Sequence, residues 1–223
     1  MSPPLESVLC SLAKFYCCHN TLVDSEIQPC VSFFKACALL HLEKYEEAFG
    51  EFMDASSSVV NDNSFLAKLL YLRDGTSGSP CVDDMTTAYF LKVVRIFESF
   101  DLTSLIVRWV DSALECLNNE NPNLPTFWTL MFKCRLEQKH YEQAFQALRS
   151  NPDVSSQLSC LRQYIVSLIE TKETALLIGT HYEELESNVI DILESRAHAM
   201  DLETNSLYEM MYAFFIQRNN FRK

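Results

Sequence analysis

Apolar residues recur along most of this chain at three- and four-residue spacing, the period of an amphipathic helix. Leu5, Val8, Leu9, Leu12 and Phe15 line one face of a helix predicted over residues 2–19, with Ser2 placed to cap it and Pro3 suited to its first turn. A second helix opens at Pro29 and carries Val31, Phe34, Ala38 and Leu42 in one stripe. A third, over 44–55, turns Tyr45, Ala48, Phe49 and Phe52 inward, and a shorter one is expected over 63–72. From Asp83 the pattern is denser. Met85, Tyr89, Val93 and Ile96 mark one helix, and Leu102, Leu105, Trp109, Ala113 and Leu117 the next. Further helices are predicted over 126–138, 141–149, 153–170, 172–178, 182–200 and 204–219. Between them, Asn121-Pro122 and Leu124-Pro125 are each expected to bar helix continuation within a connection over 118–125, and Asn151-Pro152-Asp153 marks a stop and restart. No stretch alternates apolar and polar residues long enough to argue a strand, and four glycines supply few tight turns for a β-rich fold. The predicted class is all-α.

An internal echo sharpens this to a repeat. Leu42-Glu-Lys-Tyr-Glu-Glu-Ala-Phe49 resembles Leu136-Glu-Gln-Lys-His-Tyr-Glu-Gln-Ala-Phe145, and Ile216–Lys223 looks like the start of a third copy. In each, a polar turn precedes an aromatic residue, and a small alanine lets paired helices approach. Ala48, Phe52 and Ala55 match the second-helix spacing of tetratricopeptide repeats, but the glycine slot of that repeat falls on Ala36 in one copy and on bulky Phe132 in the other. The expectation is an irregular α-solenoid of stacked helical hairpins, tetratricopeptide-like in places. Residues 1–72 are expected to form N-terminal hairpins, 73–82 a flexible linker holding Gly75 and Gly78, and 83–223 the continuing solenoid. The last helix reaches Arg222-Lys223 without a glycine, proline or polar capping helix, so the chain is expected to be a piece of a longer solenoid.

Composition narrows the possible roles. Apolar residues make up 48% and aromatics 12%, enough to fold, and the net charge is −12. No cluster of Lys and Arg exists to displace counterions from nucleic acid, which argues against direct DNA, RNA or anionic-membrane binding. The first twenty residues lack a basic start and an uninterrupted apolar run, and no window is apolar enough to span a bilayer. Nine cysteines, odd in number and mostly on apolar faces, then read as reduced thiols of the cytosol or nucleus.

Candidate chemistry is thin. Cys17-Cys18-His19, or Cys30 and Cys37 with His41, could suggest a metal site, but adjacent Cys17 and Cys18 point to different helix faces and no second ligand knuckle exists. His140 and His181 each precede a tyrosine in a turn, without a legible nucleophile or orienting partner. The carboxylates Glu46, Glu47, Asp83, Asp84, Glu183, Glu184 and Glu186 sit near predicted helix starts, where they complement the helix dipole. No glycine-rich phosphate loop or nucleophile elbow occurs, so no catalytic, cofactor-binding or metal-binding residue is assigned and no small-molecule substrate is expected. Trp109, Phe127, Trp128, Tyr164, Phe214 and Phe215 are the large aromatics able to anchor a partner. Core packing is their default, and of adjacent Phe214 and Phe215 one is expected to face outward.

The order and spacing of several short motifs from Tyr89 to Lys223 resemble the C-terminal helical region of the nucleoporin one-sixty family. They are Lys92-Val-Val94, Asn121-Pro122 with Leu124-Pro125, His140-Tyr141-Glu142 with Ala144, Asn151-Pro152-Asp153, Gln157-Leu158 and Cys160-Leu-Arg-Gln163. They continue through Glu194-Ser-Arg-Ala197, Asp201-Leu202, Tyr208-Glu209, Tyr212-Ala-Phe214 and the closing Arg218, Asn220, Arg222 and Lys223. The resemblance implies a non-enzymatic scaffold of the Y-shaped nuclear pore subcomplex at the nuclear envelope, supporting pore assembly, mRNA export and protein import, and present at kinetochores in mitosis. Its implied partners are other helical nucleoporins. An adaptor or coat-type scaffold of another assembly is the alternative that shares the same helical plan.

Overall fold

The computed structural model describes residues 28–61, 82–199 and 205–220. The helices expected over 2–19 and 63–72 and the linker over 73–82 lie outside these, except that residue 82 begins a helix. The contacts divide the chain into two units, Met1–Phe127 and Trp128–Lys223. Every described element is helical. The first unit holds α1 (Gln28–His41), α2 (Tyr45–Asn61), α3 (Val82–Ser99), α4 (Thr103–Cys116) and the start of α5 (Leu124–Glu137). The second holds the rest of α5, then α6 (Tyr141–Ser150), α7 (Val154–Glu170), α8 (Thr174–Gly179), a 3₁₀ turn (Glu183–Leu185), α9 (Glu186–Ala199) and α10 (Asn205–Asn220). Helices pack on near neighbours in sequence: α1 on α2, α2 on α3 and α3 on α4 in the first unit, and α7 on α6, α8 and α9 in the second. The all-α, hairpin-built plan read from the apolar spacing is thus the plan of both units.

One turn is used four times. At 42–44, 100–102, 138–140 and 171–173 a helix stops with one residue in the left-handed region, and the next helix begins at once. The left-handed residues are Glu43, Asp101, Lys139 and Lys172, with φ of 58°, 55°, 59° and 60°. In each, the following N–H reaches back five residues: Lys44 to Leu39, Leu102 to Phe97, His140 to Arg135 and Glu173 to Leu168, at 2.9–3.1 Å. The left-handed residue's own N–H bonds the carbonyl three back, at 3.0–3.1 Å. This pair of bonds closes the last carbonyls of a helix, normally around a glycine. The residue that ends one helix also starts the next. Its carbonyl accepts the N–H of Ala48, Ile106, Ala144 or Leu177, all four of them buried.

The echo of 42–49 in 136–145 therefore reports a real structural equivalence, but only half of it. Asp101 and Lys172 make the same turn without the aromatic-then-alanine run that follows the other two, and Ile106 and Leu177 fill the slot held by Ala48 and Ala144. A small side chain is not a requirement of that slot.

A second device joins one hairpin to the next. Asn121 and Asn151, each followed by proline, accept the N–H two residues on, at 2.9 and 3.0 Å. Their side-chain amides donate to Thr87 at 3.0 Å and Thr129 at 3.2 Å, on the first helix of the hairpin just completed. Both asparagines are buried. The Asn-Pro pairs read as helix stops are stops, and also ties. After Asn151, Asp153 caps α7 by accepting the Ser156 N–H at 2.7 Å.

Three local expectations are corrected. In α1 the buried positions are Val31, Phe33, Ala36, Ala38 and Leu40, while Phe34 and Leu42 are exposed. The reason lies in α2 and α3, whose Phe52 and Tyr89 pack against Phe33 at 5.5 and 6.2 Å between ring centres and set the rotation of the helix. Leu124-Pro125 does not bar a helix but begins α5. The proline lies within the first turn, where its missing N–H has no helical acceptor to lose. The helix expected from Tyr182 instead starts with a 3₁₀ turn, because Tyr182 is fully buried and its hydroxyl donates to the Leu177 carbonyl at 3.1 Å.

The core of the first unit is built on Trp109 of α4. Phe49 and Phe52 of α2, and Tyr89, Phe90 and Phe97 of α3, surround it with ring centres 5.1–6.2 Å away, mostly edge to face. Its indole N–H donates to the Phe90 carbonyl at 3.1 Å, and the Tyr89 hydroxyl donates to the Phe52 carbonyl at 2.7 Å. Each such ring pair contributes about 0.5–1.5 kcal/mol beyond area burial. In the second unit Tyr164, Phe145, Tyr182 and Phe214 form a chain of rings 5.5–6.2 Å apart, taken from α7, α6, the 3₁₀ entry and α10.

Candidate interaction surfaces

Of the aromatics singled out as possible anchors, Trp109, Phe127, Tyr164 and Phe214 are fully buried and belong to the cores. Trp128 and Phe215 are half-buried. Phe214 and Phe215 do diverge, with the first packed on Tyr182 and the second turned partly outward.

The histidines and cysteines fall where helix packing puts them. His140 and His181 are exposed turn residues, and His140 offers no side-chain cap to α6. His41 lies edge-on against Phe100, with ring centres 5.2 Å apart. Cys30, Cys134 and Cys160 are buried free thiols, Cys37 is half-buried and Cys116 is exposed. Burial pushes the Cys37 thiol up to about 11, and raises Cys30 and Cys160 as well. Cys17-Cys18-His19 lies outside the described residues. Among the described residues, no three of His, Cys, Asp or Glu are grouped to hold a metal, and no helix is long and apolar enough to cross a membrane.

The helix-start carboxylates make ion pairs on the surface. Both carboxylate oxygens of Glu46 take Arg108 at 2.8 Å, and the guanidinium lies 4.4 Å above the Phe49 ring. Glu47 takes Lys44 at 2.9 Å and Glu183 takes Arg149 at 2.6 Å. Glu46, Glu47, Glu183, Glu184 and Glu186 all stand in first turns, the favourable end of the dipole. Exposed pairs of this kind contribute about 0–1 kcal/mol each.

What remains is a set of surfaces. The most apolar lies on α10, where Met210 and Phe214 are buried on one side. Tyr208, Tyr212 and Ile216, at four-residue spacing, are exposed on another, Tyr212 to 69%. A helix apolar on two sides is built to be covered on both. Phe34 on α1, Leu42 in the first hairpin turn and Val154 at the start of α7 are single exposed sites. A groove of about 370 Å³ runs between α7 and α9, lined by Val166 and Ile192 with Arg162, Asp191, Ser195 and Arg196. A second hollow of about 400 Å³ lies by the first hairpin turn, with Glu43, Glu46 and Glu47 around Tyr45, Leu102 and Leu105.

Comparison with known proteins agrees with this architecture. A family model described as the NUP160/120 middle TPR matches residues 7–223. The match begins at residue 7, well before the Tyr89–Lys223 stretch that carries the sequence resemblance. A nuclear pore complex protein Nup160 homolog of Drosophila melanogaster is 29% identical over 231 residues, covering 94% of this chain and 16% of the fly protein. Nuclear pore complex protein Nup160 of Homo sapiens is 36% identical over 168 residues, covering 75% of this chain and 11% of the human protein. Nucleoporin NUP120 of Chaetomium thermophilum is 24% identical over 140 residues. The chain thus spans between 11% and 16% of the length of the two animal relatives.

Proposed function

Since the chain belongs to the NUP160/120 middle TPR family, we propose that it acts as a structural segment of a nuclear pore scaffold subunit, in the Y-shaped subcomplex. The family match over residues 7–223 is the observation that carries this reading. The architecture supports it. Helix pairs closed by one recurrent turn and tied at Asn121 and Asn151 present helical faces to partners, and α10 offers an apolar stripe for another helix. On this reading the partners are other helical nucleoporins, the site of action is the nuclear envelope in interphase and the kinetochore in mitosis, and the segment supports pore assembly, mRNA export and protein import. Contacts are made by protein surfaces, without nucleic acid or a small-molecule substrate. His140 and His181 serve as turn residues rather than as acid or base.

The test is native purification of the endogenous full-length protein, with mass spectrometry of what accompanies it. Nuclear pore subunits at near-equal abundance are expected. Recovery of vesicle-coat subunits in their place would overturn the proposal in favour of a coat-type scaffold.

A further inference from the structure

The groove between α7 and α9 brings together two short motifs, Cys160-Leu-Arg-Gln163 and Glu194-Ser-Arg-Ala197, that lie far apart in the chain. Arg162 and Val166 stand one turn apart on α7, facing Ile192, Ser195 and Arg196 of α9. The two helices run in the same direction, since Glu170 at the end of α7 takes Arg196 near the end of α9, at 3.2 Å. That contact leaves the Arg196 fork incomplete, for its Nε–H is buried and meets no acceptor. Arg162 is exposed and has no carboxylate partner among the described residues. Val166 and Ile192 are only half-buried, so the floor between the arginines is apolar and open.

The lining holds two arginines to one aspartate, in a chain with 30 acidic and 18 basic residues. Both basic side chains here are arginine, the cation enriched at protein interfaces because its planar fork holds a carboxylate by two bonds. The rows at four-residue spacing on two parallel helices form the kind of trough that receives a third helix. We propose that this groove docks an amphipathic helix of another protein, with aliphatic residues seated on Val166 and Ile192 and an Asp or Glu held by Arg162. The proposal rests on the scaffold reading above and adds a named surface and a partner chemistry to it.

Photocrosslinking in the assembled complex tests it. The full-length protein is produced with benzoylphenylalanine in place of exposed Ser195, purified with its natural partners and irradiated, and the crosslinked peptide is sequenced. A peptide from another subunit, with aliphatic residues at helical spacing and one Asp or Glu, is the expected catch. Arg162→Glu should reduce that crosslink at least tenfold without changing the melting temperature, since Arg162 is exposed, and reversing the partner's acid to Arg should restore it. Crosslinks confined to the same chain, a peptide without a carboxylate, insensitivity to Arg162→Glu, or no crosslink would each overturn the proposal. If any of these occurs while nuclear pore subunits still co-purify, the groove assignment alone fails. Loss of those subunits from the unsubstituted protein rejects the scaffold reading itself.

Discussion

At the residue scale, glycine is placed against local preference. Gly50 sits exposed inside α2, where an added Cβ meets nothing within 4 Å, while the left-handed turn positions are held by Glu43, Asp101 and two lysines. Gly50→Ala should therefore stabilise the chain by about 0.5–1 kcal/mol, by lowering the entropy of the unfolded state. Lys139→Gly should also stabilise, by about 0.5 kcal/mol or more, by relieving the left-handed strain. Urea titration of both variants checks the pair. Ala144 is the opposite case. It is fully buried four residues after the turn, and Ala144→Asp should cost ~3 kcal/mol or more. An unchanged denaturation midpoint would remove it from the core. Burial raises the Tyr164 phenol from 10.0 to about 12, a shift partly opposed by the Thr180 side chain. Because the folded value lies above the unfolded one, Tyr164 stabilises the fold fully below pH 10 and loses that contribution as pH rises through 12. Burial raises the Tyr89 phenol as well, so tyrosinate absorbance should show at least two late-titrating rings, Tyr89 and Tyr164, whose release coincides with unfolding.

At the element scale, the helices were legible and their rotations were not. Periodicity located every described helix, although it ended α2 at 55, six residues short of Asn61, since core faces such as Tyr89–Val93 and Leu105–Trp109–Ala113 repeat over several turns. In α1, Val31, Phe33, Phe34 and Leu42 left two stripes of similar apolarity, and contacts with α2 and α3 chose between them. The four equivalent turns were half legible. The run of residues around the turns at 42–44 and 138–140 revealed those two, whereas the other two match them in backbone geometry and at most in the single left-handed residue, too little to read from sequence. Nothing in the spacing paired Asn121 with Thr87 or Asn151 with Thr129, because that choice is made by tertiary approach. Asn121→Ala removes both a turn bond and a buried link to Thr87, and should cost about 1–3 kcal/mol. Thr87→Val should recover little of that loss, since the turn bond stays broken. A double-mutant cycle by thermal melting separates the two bonds.

At the scale of the whole molecule, function was legible through motif order, while the candidate groove was not. Arg162 and Arg196 are far apart in sequence, and only the parallel approach of α7 and α9 joins them. The exposed stripe of α10 gives the isolated chain a measurable property. Its sedimentation should depend on concentration, and Tyr212→Glu combined with Ile216→Lys should make it a monomer at high concentration. A monomer before substitution would show that the stripe is too small to drive association. The Asn-Pro ties carry a further consequence, for durability. Asparagine ages spontaneously when the next residue's backbone nitrogen attacks the side-chain amide, closes a ring and releases ammonia. Proline's ring nitrogen carries no hydrogen to surrender in that attack. The links at Asn121 and Asn151 are therefore shielded from the usual clock of deamidation.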